Sequence, residues 1–367
     1  MAGIPSSLNP LRCAGTALPP NVLLLAKLLV LCLLLKGYLH EIRPVFLPFL
    51  SPLEAVDPVF FQRTLQGAFL VASAALLLNL RVRTACLVLG AVFLLAVLAS
   101  KPGYRNATVY VGCVLLLAGL QTAGAAPWLL RAQVALLYLG AGLNKLFEAD
   151  WRNGQYVEHW LVQVLTNPYY EAMTHGLPPL ALSLLLGWAA ILSELGIGAG
   201  ALVRALRPAA IWWGAAFHTG VLLMTHQDFG IFLTAILASY LALVDWPVVA
   251  EVQVAPGSRY RGFVRALAAA LDLDGTLRVG AASEPERALS LRAGRSRLHG
   301  VEALARLLLL LPATYFLLAV LLTGPKWVRW GGALGALVAF TPWRTLLRRV
   351  WELSPARRWL PSAPAAG

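Results

Sequence analysis

Residues 138–160 read YLGAGLNKLFEADWRNGQYVEHW, with Lys145 closing an apolar run and Asp150, Trp151 and Gly154 following within ten residues. Charged side chains are costly at membrane depth, so a lysine at the end of a membrane-length run marks a candidate functional site. Working outward from this stretch, apolar runs of the same kind recur along most of the chain. The 367 residues are 59% hydrophobic and 13% charged, against roughly 45–50% and about 25% in a soluble domain. A span needs about 20 apolar residues, with roughly 17–25 tolerated. The runs near 21–39, 62–80, 84–100, 108–124, 127–147, 178–203, 208–225 and 228–247 therefore predict an all-α polytopic membrane protein of about eight transmembrane helices. Residues 1–20 are proline-rich and nearly uncharged, without the basic flank and cleavage site of a signal peptide.

The net charge is +13, but many arginines sit in short loops beside apolar runs and near the C-terminus. There they set topology and meet anionic headgroups, and no nucleic-acid partner is expected. Arg81 and Arg83 lie between the second and third runs, Arg204 and Arg207 between the sixth and seventh. Placing both hairpins in the cytoplasm predicts a multi-pass protein of the cell membrane with cytoplasmic N- and C-termini. Lys101 and Arg105 then fall outside, as does the loop 147–179 with Glu158, His159, Glu171 and His175. The four cysteines, Cys13, Cys32, Cys86 and Cys113, show no CxxC or Cys/His spacing and read as small buried residues; no metal site is predicted.

After Trp246-Pro247 the composition turns polar. Val252-Gln253-Val254 and Leu277-Arg278-Val279 read as short strands, 260–271 and 299–311 as helices, the order of a small α/β unit. The run 304–323 fits either a ninth span or a buried helix of that unit. Residues 326–367 form a basic tail with interleaved tryptophans, which suits an interfacial amphipathic helix. Three regions follow: a membrane domain over 1–250, an α/β unit over 251–325 and the tail.

Lys145 is the first candidate for chemistry. Apolar surroundings favour its neutral amine, making it a candidate general base; the bland reading is a lysine that snorkels to the headgroups. His218, mid-span among Trp212, Trp213 and Phe217, either serves chemistry or ties helices together. Glu194 is a carboxylate in the preceding span, with His218 as its candidate partner.

Ala141-Gly142-Leu143-Asn144-Lys145-Leu146 with Ala149-Asp150-Trp151 and Gly154 resembles the membrane core of vitamin K-dependent γ-glutamyl carboxylase and its relatives in the horizontally transferred transmembrane (HTTM) family. Phe217-His218, Phe229-Gly230-Ile231-Phe232 and Asp245-Trp246-Pro247 are similar to a histidine-containing span of the same enzymes. The resemblance implies Lys145 as catalytic base, with His218 in the same core and Asn106 in the pocket or behind it; on this reading Glu194 would help shape the pocket, and Asp150 and Trp151 would order the loop above it. It implies a reduced, vitamin K-like quinone as cofactor, membrane lipid or quinone as partner, and a protein or peptide substrate on the extracytoplasmic side. The activity would be that of a carboxylase-like lyase or a quinol-linked oxidoreductase.

Two departures bear on that activity. An Asn-His pair of the carboxylases reads Asn106-Ala107 here, and the large lumenal segment that binds their substrates' propeptide is absent. In the C-terminal region, residues 297–304 and 307–312 resemble the DCC family of thioredoxin-like oxidoreductases. The turn that would carry its CxxC reads Pro256-Gly257-Ser258-Arg259, so the unit reads as a degenerate thioredoxin-like remnant unable to exchange disulfides. Asp272-Leu273-Asp274-Gly275 reads as a solvated turn. The rival functions are a non-catalytic membrane scaffold or assembly factor, favoured by Ala107 and the missing cysteines, and, behind it, a transporter.

Overall fold

A computed structural model describes residues 9–225, 230–246, 249–255, 260–272, 274–281, 289–293, 296–312 and 314–316. The basic tail, the turn 256–259 and Phe229 lie outside the described residues. The chain is mostly helical with one small sheet near its C-terminal end. Its long helices are α1 (Pro20–Leu35), α2 (Pro58–Leu77), α3 (Val82–Leu98), α4 (Asn106–Leu120) and α5 (Trp128–Phe147). Between α5 and the next long helix lie the short α6 (Ala149–Arg152), α7 (Gln155–His159) and α8 (Pro168–Thr174). The bundle closes with α9 (Ala181–Leu202), α10 (Arg207–Thr225) and α11 (Gly230–Ser239), the last extended by a 3₁₀ turn, Tyr240–Leu243.

Two of these, α2 and α9, are long and apolar enough to cross a membrane; α1, α3, α4 and Ile231–Leu243 are shorter apolar helices. The outward faces of α2, α5 and α9 expose Val71 (72%), Leu136 (66%) and Leu185 (65%). Large apolar side chains left uncovered on several helices fit a lipid environment better than water. At the centre, α1 is apolar almost all round and buried along most of its length, as a helix surrounded by others must be.

The bundle has two chemically different ends. At one, Arg131 at the start of α5 donates from Nε to Ala242 O at 2.8 Å and lies 3.1 Å from Asp245. Arg204 and Arg207, from the α9–α10 hairpin, reach the same carboxylate at 3.0 and 3.7 Å. Asp245 of the Asp245-Trp246-Pro247 motif thus gathers three arginines and ties three segments together. At the other end are Asn106, opening α4, and Lys145, closing α5.

Beyond the bundle, β1 (Ala250–Val254), α12 (Tyr260–Leu271), β2 (Leu277–Ala281), β3 (Leu289–Ala293), β4 (Ser296–His299) and α13 (Gly300–Leu309) form a four-stranded sheet with two helices, in strand order β2-β1-β3-β4. β1 pairs parallel with β2 and antiparallel with β3, which pairs antiparallel with β4. Val252, Leu291, Val264 and Leu307 make its core. The helix α13, at the start of the ambiguous apolar run 304–323, packs on β3 and β4 of this unit; the run beyond residue 316 lies outside the described residues.

The Asp272–Gly275 turn corrects its reading as solvated. Asp272 accepts from the backbone of Thr276 and Leu277 at 2.9 and 2.8 Å. Asp274 accepts from the N–H groups of Cys13 and Ala14 at 2.7 and 2.9 Å. The segment before α1 is therefore strapped to the α/β unit. Lys27, fully buried within α1, holds the same segment by donating to Pro10 O at 2.6 Å and Arg12 O at 2.8 Å. Sequence reading passed over this second intrahelical lysine, because a single charge in a long apolar run carries no mark of the carbonyls it will meet.

Candidate functional site

The helices α5 and α9 pack antiparallel, and their register can be read from their contacts. A Cβ on Gly142 would lie 2.9 Å from the Leu195 side chain, and one on Gly198 would lie 2.8 Å from Leu139. Glycine at these two positions lets the backbones approach closely. The same register brings Lys145 opposite Glu194. Lys145 Nζ lies 2.9 and 2.8 Å from the two carboxylate oxygens, with side-chain exposures of 18% and 11%. Glu194 lies about 20 Å along α9 from its first residue at 1.5 Å per residue.

This geometry bears on two expectations. The Lys145 ammonium turns to Glu194 across the helix pair. Glu194 has Lys145 as its partner rather than His218, a correction that follows from register. Residues 49 positions apart meet because their helices pack side by side, which no local spacing reveals.

A lid of short helices covers the pair. Gly154, at φ +85°, turns the chain between α6 and α7, and a Cβ there would lie 2.6 Å from Leu184 N on α9. Close approach and left-handed backbone together require glycine. The turn sets the Trp151 ring 4.9 Å from Lys145 Nζ, a cation–π contact, and stacks it on Tyr156 at 4.4 Å. Further along, Asn167 caps α8, its side chain accepting from Tyr169 N and Tyr170 N at 3.0 and 3.1 Å, with Pro168 in the first turn. Tyr170 hydrogen-bonds Glu158. The segment expected to be a loop is thus largely helical.

His218 lies on α10, and its Nε2 is 2.6 Å from the Tyr138 hydroxyl. Tyr138 also hydrogen-bonds Tyr240. Tyr110 and Ser239 form a second hydroxyl pair at 2.8 Å. Tyr138 precedes Lys145 by two helical turns, so the histidine cluster sits on the same face of α5 about 10 Å along the axis. Sequence reading missed Tyr138 and Tyr240. The trace was there in Tyr138, a hydroxyl in an apolar run at heptad spacing from the lysine.

The remaining expected site residues stand apart. Asp150 adjoins Trp151 on α6 but is exposed. Asn106 is exposed at the start of α4 and accepts from the Tyr104 hydroxyl at 2.8 Å. Among the described residues, no hydrogen bond or ion pair joins either to Lys145. Lys145, Glu194 and Trp151 form one constellation; His218, Tyr138 and Tyr240 form another beside it.

A helical bundle with a paired lysine and glutamate between two of its helices, followed by a small α/β unit, is the class these observations define. Residues 122–251 match the family model of the HTTM domain, a family related to vitamin K-dependent carboxylase membrane proteins. The match takes in α5 to α11, and so both constellations. No curated protein and no solved structure matches the chain.

Proposed function

We propose that the protein is a multi-pass membrane enzyme that deprotonates a reduced quinone in the lipid phase, with Lys145 as base. The carrying observation is the Lys145–Glu194 pair set beneath Trp151 and largely withdrawn from water. An ammonium cannot accept a proton, so the pair works as a unit. One proton moves from Lys145 to Glu194, and the neutral amine then takes the proton of a quinol O–H. The quinolate left behind is the species that molecular oxygen oxidises. His218, its Nε2 engaged by Tyr138, shapes the inner part of the site, and Trp151, held by its stack on Tyr156, covers the Lys145 amine.

The eight apolar helices belong to this proposal as membrane spans, with the arginine-rich end of the bundle in the cytoplasm. The strap between residues 13–14 and Asp274 supports the N-terminal segment and the α/β unit lying on one side. For that unit we propose a thioredoxin-like origin, supported by the strand order β2-β1-β3-β4 with α13 after β4. With no cysteine beyond Cys113, its role is structural.

The test is aerobic oxidation of a reduced naphthoquinone by protein in nanodiscs. Wild type should consume quinol, while Lys145→Ala and Glu194→Gln should not; undiminished turnover in Lys145→Ala sinks the mechanism. The scaffold reading keeps a specific observation of its own: the same ion pair clamps α5 to α9, a purely structural use. It predicts no turnover in any form and a stoichiometric membrane partner retained by Lys145→Ala.

A further inference from the structure

A cavity of about 190 Å³ opens at the end of the bundle that carries Lys145, where α1, α3 and α4 meet. Three cations, Lys36, Arg43 and Arg105, stand in its wall against one carboxylate, Glu41, and Tyr38 and Thr108 line it. Charge patterning along the chain leaves this basic group unexplained, since the arginine hairpins already set the topology at the opposite end. The Tyr38 hydroxyl and Thr108 Oγ1 share a hydrogen bond of 3.0 Å in this wall, which adds a polar surface beside the cations. The Glu41–Arg43 contact, at 3.9 Å between half-exposed side chains, is weak. Pockets that enclose a drug-sized molecule run to roughly 300–1,000 Å³. This cavity suits a small anionic group instead.

The surroundings say where that group comes from. Residues 46–50 are bonded to the end of α3, Phe46 N to Ala99 O at 3.0 Å and Phe49 N to Leu98 O at 2.8 Å. Phe46, Leu47, Phe49 and Leu50 are nevertheless exposed. Lys101 stands over the Phe49 ring at 5.9 Å, and Tyr104 packs edge-on to it. Exposed apolar side chains beside lysine and tyrosine mark the headgroup level of a bilayer. Arginine guanidinium groups match phosphate oxygens in charge and geometry.

We infer that this cavity binds the phosphate of an anionic glycerophospholipid headgroup, held by Arg105, Arg43 and Lys36 while the acyl chains run along the apolar 46–50 loop. The experiment uses full-length protein in neutral detergent, following Tm against short-chain phosphatidylglycerol, phosphatidylcholine and inorganic phosphate. Phosphatidylglycerol should raise Tm more than phosphatidylcholine. Arg105→Gln should weaken the apparent affinity about fivefold, the upper end for one partly exposed charge contact, with Arg105→Lys recovering most of it. Arg43→Gln removes a second cation of the lining and should weaken binding in the same direction. Equal stabilisation by phosphatidylcholine, or unchanged affinity in both Gln variants, would overturn the site. A response to inorganic phosphate without one to the lipid would overturn the lipid assignment.

Discussion

Truncating Lys145 strands the Glu194 carboxylate between two helices. Breaking a buried pair costs roughly 3–5 kcal/mol, whereas replacing both partners with apolar residues is often neutral or stabilising. Because some exposure remains at this pair, Lys145→Ala should sit near or below the lower end of that range. The Lys145→Met/Glu194→Met double variant should recover the wild-type Tm in detergent, yet stay inactive toward quinol. Recovery of both stability and turnover would make the pair a clamp and nothing more. Tyr138→Phe removes the hydroxyl that engages His218 and Tyr240; interhelical bonds of this kind contribute about 0.6–2 kcal/mol. A modest fall in Tm is expected, with a loss of quinol turnover exceeding about tenfold, or 1.4 kcal/mol in the barrier. Turnover tracking stability alone would make the cluster structural. At this scale Lys145 was legible because Asp150, Trp151 and Gly154 follow it in one motif, whereas Lys27 stands alone in its apolar run. The partner of Lys145 was not, because the partner is chosen by packing.

Among the elements, the α5–α9 interface and the α6–α7 turn carry the site. Gly142→Val would push a branched side chain into Leu195 and should cost about 1–3 kcal/mol, as overpacking does. Gly154→Ala faces left-handed backbone, about 1–2 kcal/mol, and also a collision with Leu184. It should swing Trp151 away from Lys145, which tryptophan fluorescence would register as altered emission; a spectrum identical to wild type would argue against the lid geometry. The long apolar helices were readable from run length alone. The short helices of 149–174 were not, since each is too brief for periodicity. Only Asn167-Pro168, a cap followed by a first-turn proline, could have announced one of them.

Across the whole molecule, the strap from residues 9–14 to Asp274 joins chain segments some 260 positions apart. Burial pushes the Cys13 thiol up to about 12, opposed in part by Lys27. The folded state holds this proton more tightly than the usual value of 9.0. The strap's stability from this group is therefore complete below pH 9 and declines as pH climbs from 9 toward 12. Cys13 should resist iodoacetamide at pH 8. Asp274→Ala removes two hydrogen bonds to a charged acceptor, each contributing about 1.5–3 kcal/mol. Labelling of Cys13 followed by mass spectrometry should then speed up at least tenfold, or about 1.4 kcal/mol. An unchanged rate would mean that the strap is held elsewhere.

From composition and run length alone came the helical class, the order of the apolar helices, the polar α/β unit after Pro247 and the prominence of Lys145. These are local properties: transfer cost, helical period and turn chemistry act within a few residues. The tertiary structure decided that Lys145 faces Glu194, that Tyr138 engages His218, and that Asp274 anchors the far end of the chain. It also gathered Lys36, Arg43 and Arg105 around one cavity. Each of these depends on how helices pack and in which register, and register is set by many weak contacts summed over whole interfaces rather than by any residue's own chemistry.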